Sequence, residues 1–159
     1  MTTIAAKFST LEIAADSQVS GDDIKYHVEK LRRGLQSVYG GAGDWDKLLA
    51  AFQALESGKT ELDDDCDVEL LELRHDGIWV YEGVLIPAKI KNDFYAIGTG
   101  SAYAIAAMHL GKSPKEAVEI AAIYDPGTGG PIDSMSLGPW SEDAIPQKKS
   151  PRKRGPKAA

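Results

Sequence analysis

The chain has 159 residues, 43% of them hydrophobic, which is enough for one buried core and excludes a second large independent domain. Residues 1–147 carry all 24 acidic residues and a net charge of −12, whereas the last twelve residues carry six Lys and Arg and no acid. The single cysteine, Cys66, excludes an internal disulfide framework and fits a reducing compartment. No apolar run has the length of a signal peptide or a membrane span, so we expect a cytoplasmic protein without a membrane partner.

The first third of the chain is predicted to form strands. Thr2–Phe8 and Leu11–Ala15 flank a Ser9-Thr10 turn and predict a hairpin. Residues 24–31 alternate apolar and polar side chains with a period of two, which predicts a half-buried strand. Lys30 falls on its apolar side, so its ammonium group either reaches the surface or is buried with a partner.

A glycine-rich turn, Gly40–Gly43, separates these strands from a predicted helix that Asp44 caps and Ser57-Gly58 ends. The apolar stripe of this helix contains Leu48, Leu49, Phe52 and Leu55. A second hairpin is predicted over residues 68–81, because an Asp76-Gly77 pair lies between two apolar runs.

The last third alternates strand and helix. A strand over residues 94–97 runs through Gly98–Ser101 into an Ala-rich helix that stops at Gly111, and Ser113-Pro114-Lys115-Glu116 is a capping box for a helix to about Ile123. Residues 125–130 break that helix, and residues 132–137 are predicted as a closing strand. This order of elements favours an α+β fold in residues 1–138, followed by a disordered basic tail over residues 139–159.

The start of the chain suggests a chemistry. Removal of Met1 would leave Thr2 as a free N-terminal residue, with a nucleophilic hydroxyl and an α-amine in one residue. The amine, with a reference pKa of about 7.7–8.0, is partly neutral near pH 7 and can accept the hydroxyl proton. Such a residue needs no separate histidine as its base.

Five separated stretches are informative when taken together. They are Thr2-Thr3-Ile4, the strand end Ile13–Gln18, the lysine-bearing Val28–Arg33, the strand-turn-helix Ala96–Ala104, and Asp125–Gly130, which is similar to an Asp-x-x-Ser-Gly-Gly turn. In this order they resemble the N-terminal threonine peptidases of the proteasome β-subunit and HslV type. The resemblance spans most of residues 2–137. It implies a four-layer αββα sandwich of the N-terminal-nucleophile (Ntn) hydrolase type.

The resemblance also implies a mechanism. Thr2 would be the nucleophile, the Lys30 ammonium would stabilise the alkoxide, and Asp16 would compensate the buried charge. Thr99, Asp125 and Thr128 would hold the α-amine. Backbone N–H groups near Gly41 or Gly43 would face the oxyanion. The family usually has Ser where this chain has Thr99 and Thr128, and Pro126 departs from its turn.

The implied partners are unfolded proteins or peptides as substrates, further copies of the chain in a ring, and an ATP-dependent unfoldase. No cofactor or metal is expected, because the histidines are scattered and the acidic residues 61–67 lack calcium-loop spacing. Gly98-Thr99-Gly100-Ser101 lacks the further residues of a dinucleotide or P-loop site. Cys66 has no activating cation nearby in sequence.

A second interpretation stays open at this point: a catalytically inactive proteasome-like ring or scaffold protein. Its basic tail would bind nucleic acid or a protein partner, since Ser150–Lys157 partly resembles an A·T-hook. For the tail itself we favour a solubilising or docking role over nucleic-acid binding.

Overall fold

The computed structural model describes residues 1–62 and 67–140. The strands in this part are β1 (Thr3–Lys7), β2 (Glu12–Ala15), β3 (Gln18–Ser20), β4 (Lys25–His27), β5 (Leu31–Arg33), β6 (Ser37–Ala42), β7 (Glu69–Arg74), β8 (Gly77–Glu82), β9 (Ala88–Ile90), β10 (Phe94–Gly98) and β11 (Asp133–Ser136). The helices are α1 (Trp45–Glu56), α2 (Ser101–His109) and α3 (Pro114–Tyr124). This mixed content is an α+β fold, as predicted.

Two larger antiparallel sheets organise these elements. Sheet I has the strand order β10-β1-β2-β11, and sheet II has the order β5-β6-β7-β8-β9. A separate pair, β3 and β4, follows the end of β2. Because β1 lies between β10 and β2, the N-terminus of the chain is in the middle of sheet I, with Thr3 opposite Gly98.

Alternation along the strands of sheet I separates two apolar clusters. Ile4 and Ala6 belong to a cluster that contains side chains of sheet II, whereas Ala5 belongs to a cluster with α2 and α3. Sheet I contributes mainly alanine on the helix side, which lets the two helices pack closely. A third cluster joins α1 to sheet II through residues such as Phe52 and Tyr39. Each sheet therefore packs against the other sheet and against helix.

Local sequence signals predicted most elements correctly. The hairpin of β1 and β2, the Asp76-Gly77 hairpin of β7 and β8, the Asp44 cap and the Ser113 capping box are all confirmed. The predicted apolar stripe of α1 was wrong at one residue, because Leu49 is exposed whereas Leu48 and Phe52 are buried.

The prediction of one half-buried strand over residues 24–31 was wrong. The segment is divided into β4, which pairs with β3, and the start of β5, which pairs with β6. Ile24 and Tyr26 are exposed, whereas Lys30 in the connection is only 1% exposed. The physical reason is that β4 lies outside both large sheets. At Val28, whose N–H donates to the Ser17 carbonyl at 2.8 Å, the chain turns inward.

The predicted turn at Gly40–Gly43 was also wrong. Gly40 and Gly41 lie inside β6, and Gly41 is paired with Leu70 of β7. A Cβ atom on Gly41 would meet the side chains of Leu48 and Leu70, so glycine here makes room for helix α1 on sheet II. Only Gly43, with φ of +136°, lies outside the strand in a conformation that favours glycine.

Two predicted segments lie wholly or mostly outside the described residues. Cys66 and most of the acidic stretch are in residues 63–66, and the basic tail, apart from Pro139 and Trp140, is in residues 141–159. Trp140 makes an edge-on contact with His75, with ring centroids 5.5 Å apart. Within residues 1–62 and 67–140, every helix is too short or too polar to cross a membrane.

The close approach of β1 and β10 can be tested at Gly98. Its φ is +92°, and a Cβ atom would meet the backbone carbonyl of Thr2. Gly111 has nearly the same φ, +90°, but nothing lies within 4 Å of its Cβ position. A left-handed alanine costs about 1–3 kcal/mol at either site, and only Gly98→Ala adds a backbone collision. We expect urea denaturation to show a clearly larger loss for Gly98→Ala than for Gly111→Ala. Equal losses would contradict the close approach.

Candidate active site

Thr2 lies immediately before β1, where Gly98 of β10 lets the two backbones approach. The residue is 2% exposed. Its hydroxyl donates to the Met1 carbonyl at 2.6 Å and accepts a hydrogen bond from Lys30 Nζ, also at 2.6 Å. The Thr2 hydroxyl is therefore held by a cationic donor inside the protein.

The Lys30 ammonium has an acceptor for each of its three N–H bonds. Nζ donates to Thr2 Oγ1 at 2.6 Å, to Asp16 Oδ1 at 3.0 Å and to the Gln18 carbonyl at 2.6 Å. Burial lowers the pKa of Lys30, and the charge and hydrogen bond of Asp16 offset part of that effect, so the pKa lies below its ordinary value. A lysine in this state gives up its proton more readily than one in water.

Asp16, at the end of β2, is the counter-ion and is fully buried. Its Oδ1 atom accepts from Lys30 Nζ and from the Thr3 N–H, and its Oδ2 atom accepts from the Gly129 N–H at 3.1 Å. One carboxylate thus joins the start of β1, the lysine connection and the turn after α3. Glycine at residue 129 also leaves space for the Gln18 side chain.

A second polar group surrounds Asp125, which ends α3. Oδ2 accepts from the hydroxyls of Thr99 and Thr128, both at 2.6 Å, and Oδ1 accepts from the Gly127 N–H at 3.2 Å. Burial acts to raise the pKa of Asp125, but these hydrogen bonds outweigh it and hold the pKa below its ordinary value. The carboxylate is therefore ionised and can only accept hydrogen bonds.

The structure brings the predicted side chains into two neighbouring groups. Thr2, Lys30 and Asp16 form one, and Thr99, Asp125 and Thr128 form the other. The two meet at the backbone of Thr2, whose carbonyl oxygen is 3.5 Å from Thr99 Oγ1. Gly43 lies beside Thr2, whereas Gly41 is covered by α1 and β7.

Two contributors were not predicted. Thr3 provides an N–H to Asp16 and a hydroxyl to Thr128, and Glu69 accepts the Gly98 N–H at 3.3 Å. The alternation of β1 could have indicated Thr3, because its side chain points to the face opposite Ile4. Nothing local in the sequence distinguishes Glu69 from other strand carboxylates.

Cavities open on two sides of Thr2. One, of about 520 Å³, extends toward α1 and is lined by Tyr26, Trp45 and Leu48 among others. The other, of about 360 Å³, is lined by Gly43, Asp67, Glu69 and Thr99. Met1 and Thr2 line both. Both cavities therefore border Thr2, although the residue itself is buried.

Comparison with solved structures identifies the architecture. HslV from Trypanosoma brucei matches with a TM-score of 0.70 at 21% identity, covering 84% of this chain and 98% of that one. BPH from Thiobacillus denitrificans in complex with epoxomicin matches with a TM-score of 0.68 at 21% identity, covering 87% and 100%. Another structure of that BPH gives 0.65 at 24% identity over 87% and 98%. The chain has an HslV/proteasome-type fold.

No protein-family model matches the chain. A search of curated proteins gives no significant match. This chain thus adopts a proteasome-type fold although its sequence is only 21–24% identical to those of the HslV and BPH structures.

The buried ion pair between Lys30 and Asp16 should contribute strongly to the free energy of unfolding. Lys30→Met would leave the Asp16 carboxylate buried without its cation, and we expect it to lower the free energy of unfolding by about 3–5 kcal/mol. Lys112→Met is the matched control, because Lys112 pairs with Glu116 at 3.6 Å with both side chains about half exposed, a geometry that contributes little to stability. Urea denaturation compares them, and similar losses would contradict a desolvated pair.

The hydrogen bonds to the Asp125 carboxylate predict that the stability of the fold depends on pH. Because the folded protein holds the pKa of Asp125 below its ordinary value of 3.8, the unfolded chain binds this proton more tightly. The resulting stability is complete above the unfolded pKa and is lost as the pH falls through the folded pKa.

We expect Asp125→Asn to lower stability at neutral pH and to flatten the fall of stability below about pH 4. Urea denaturation from about pH 2 to pH 7 measures both effects. Asp22→Asn is the control, because Asp22 is exposed in the connection between β3 and β4. An acid dependence that Asp125→Asn leaves unchanged would contradict the assignment.

Proposed function

We propose that this protein is a threonine-type endopeptidase subunit in which Thr2, freed by removal of Met1, is the N-terminal nucleophile. The observation that carries the proposal is the 2.6 Å contact between a buried Lys30 ammonium and the Thr2 hydroxyl, in an HslV/proteasome-type fold. In the chain that retains Met1, the Thr2 nitrogen is an amide and cannot act as a base. Loss of Met1 is therefore a condition of the proposed activity.

The proposed reaction has two halves. Thr2 Oγ attacks the scissile carbonyl carbon, and its proton passes to the α-amine. The amine then protonates the leaving nitrogen, the C–N bond breaks, and an acyl ester on Thr2 remains. Water attacks this ester with the amine again as base, releasing the acid and restoring the Thr2 hydroxyl. Lys30 stabilises the developing alkoxide, and its positive charge disfavours protonation of the nearby amine.

The remaining residues have supporting roles. Asp16 balances the charge of Lys30, and Thr99, Asp125 and Thr128 hold the α-amine. Gly43 is the stronger candidate for the oxyanion donor, since it lies beside Thr2 in both cavities and Gly41 lies inside β6. Thr in place of Ser at residues 99 and 128 keeps both hydroxyls on Asp125, which fits an active site.

We further propose the assembly that accompanies this fold. The packing of α2 and α3 on sheet I, of sheet I on sheet II, and of α1 on sheet II supports a four-layer αββα sandwich of the Ntn-hydrolase type. The protein would form a homo-oligomeric ring in the cytoplasm and act on unfolded proteins or peptides. An ATP-dependent unfoldase would deliver them.

The function can be tested on purified protein by its mass, its peptide turnover and its inhibitor binding. Intact-mass measurement is expected to give a chain without Met1. This chain should hydrolyse short unstructured peptides, and Thr2→Ala should abolish turnover, whereas Thr2→Ser should retain some because it keeps hydroxyl and amine. Deletion of residues 148–159 should leave peptide turnover intact. Epoxomicin, present in one BPH structure, is a suitable probe, and its binding should disappear with Thr2→Ala.

Two outcomes would contradict the proposal. Retained Met1 on the purified protein would exclude the free-amine mechanism, and equal turnover by the wild-type protein and Thr2→Ala would assign the activity to another residue or to a contaminant. Retained Met1 together with absent peptide turnover would favour the inactive ring or scaffold. For the scaffold, nucleic-acid binding that weakens with salt and is lost on removing the tail would indicate a nucleic-acid partner. Absence of such binding would indicate a protein partner.

A further inference from the structure

We propose that Thr3 is a positioning residue of this site: its hydroxyl fixes the Thr128 hydroxyl, and through it the Asp125 carboxylate, against the N-terminal residue. This inference rests on the proposed peptidase function. Thr3 would act through its neighbours rather than touch the substrate.

The hydrogen-bond directions follow from the chemistry of the three groups. Thr3 Oγ1 and Thr128 Oγ1 are 2.6 Å apart, and Thr128 Oγ1 is 2.6 Å from Asp125 Oδ2. A carboxylate only accepts, so the single proton of the Thr128 hydroxyl is used on Asp125. The Thr3 hydroxyl must then be the donor to Thr128. The relay therefore runs in one direction, from Thr3 through Thr128 to Asp125.

Thr3 also connects this relay to the lysine group. Its N–H donates to Asp16 Oδ1 at 3.1 Å, the same atom that accepts from Lys30. Thr3 is completely buried. Thr3 thus connects Asp16, the counter-ion of Lys30, with Asp125, the carboxylate proposed to hold the α-amine.

Gly100 provides the space that this relay requires. A Cβ atom on Gly100 would meet Thr3 Oγ1 and would lie 3.0 Å from Thr128 Oγ1. The φ of Gly100 is −91°, which any residue adopts. Glycine at the start of α2 is therefore required by close packing against this hydroxyl pair and against the Ala121 Cβ atom at 3.1 Å, and not by the backbone conformation.

The test compares Thr3→Val with Thr3→Ser. Valine puts a methyl group where the hydroxyl donates at 2.6 Å, a distance too short for a carbon–oxygen contact, so Thr128 must move and Asp125 with it. We expect Thr3→Val to lower kcat for peptide hydrolysis by about 10–100-fold with little change in KM, because small misplacements of a catalytic group have effects of this size. Thr3→Ser, which keeps the donor, should restore most of kcat.

The pH profile separates positioning from simple destabilisation. A carboxylate close to an amine favours the protonated amine, so moving Asp125 away from the Thr2 amine should shift the acid limb of kcat/KM to lower pH in Thr3→Val. Loss of folded protein would lower the rate at every pH without moving this limb. Ser17→Ala is the control for a lost buried hydroxyl, since Ser17 Oγ has no hydrogen-bond partner within the part of the chain that the structure describes.

Gly100→Ala reaches the same hydroxyl pair without changing Thr3, and it serves if Thr3→Val folds poorly. It should also lower kcat and shift the acid limb.

An unchanged kcat and acid limb in folded Thr3→Val and Gly100→Ala would overturn the inference while the Thr2-dependent activity stands. Failure of Thr3→Ser to restore kcat would overturn it as well. A wild-type protein without Thr2-dependent turnover would overturn the peptidase function and this inference together.

Discussion

The buried contact between Lys30 and Asp16 is the constraint on which the site depends. Removing an ammonium group from water is expensive, and the protein offsets this with three acceptors around Nζ and a counter-ion that itself receives two backbone N–H bonds. Because these acceptors and donors come from three separate segments, residues 2–3, 16–18 and 129, they converge on Lys30 only in the folded chain. The same geometry that satisfies the cation places it against the Thr2 hydroxyl.

The position of Thr2 at the start of a central strand explains how the two polar groups come together. The residue precedes a central strand whose two neighbours, β2 and β10, lead directly to Asp16 on one side and to Gly98 and Thr99 on the other. Side chains of β1 then alternate between the sheet–sheet cluster and the helix side. A short strand in the middle of a sheet thus presents its first residues to both polar groups without a flexible loop.

The fold was predictable where the signal is local. The Asp76-Gly77 hairpin and the Ser113 capping box depend on a few adjacent residues, and they occur where expected. Predictions failed where distant pairing decides. Residues 24–31 do alternate, but β4 at their start pairs with β3, whereas β5 at their end pairs with β6. Gly40 and Gly41 lie in a strand that pairs with β7 and do not form a turn.

The sequence by itself determined which residues are the candidates. They are a threonine after Met1, a lysine in an apolar pattern, and hydroxyl and carboxyl residues in stretches that resemble the proteasome-type peptidases. Tertiary structure alone decided that Lys30 points inward, that Thr99 and Thr128 share Asp125, and that Thr3 joins both groups. The reason is that hydrogen-bond direction and desolvation depend on which segments meet. Thr2 and Lys30 are 28 residues apart in the chain, and Thr3 and Thr128 are 125 apart. No local pattern encodes contacts over such separations.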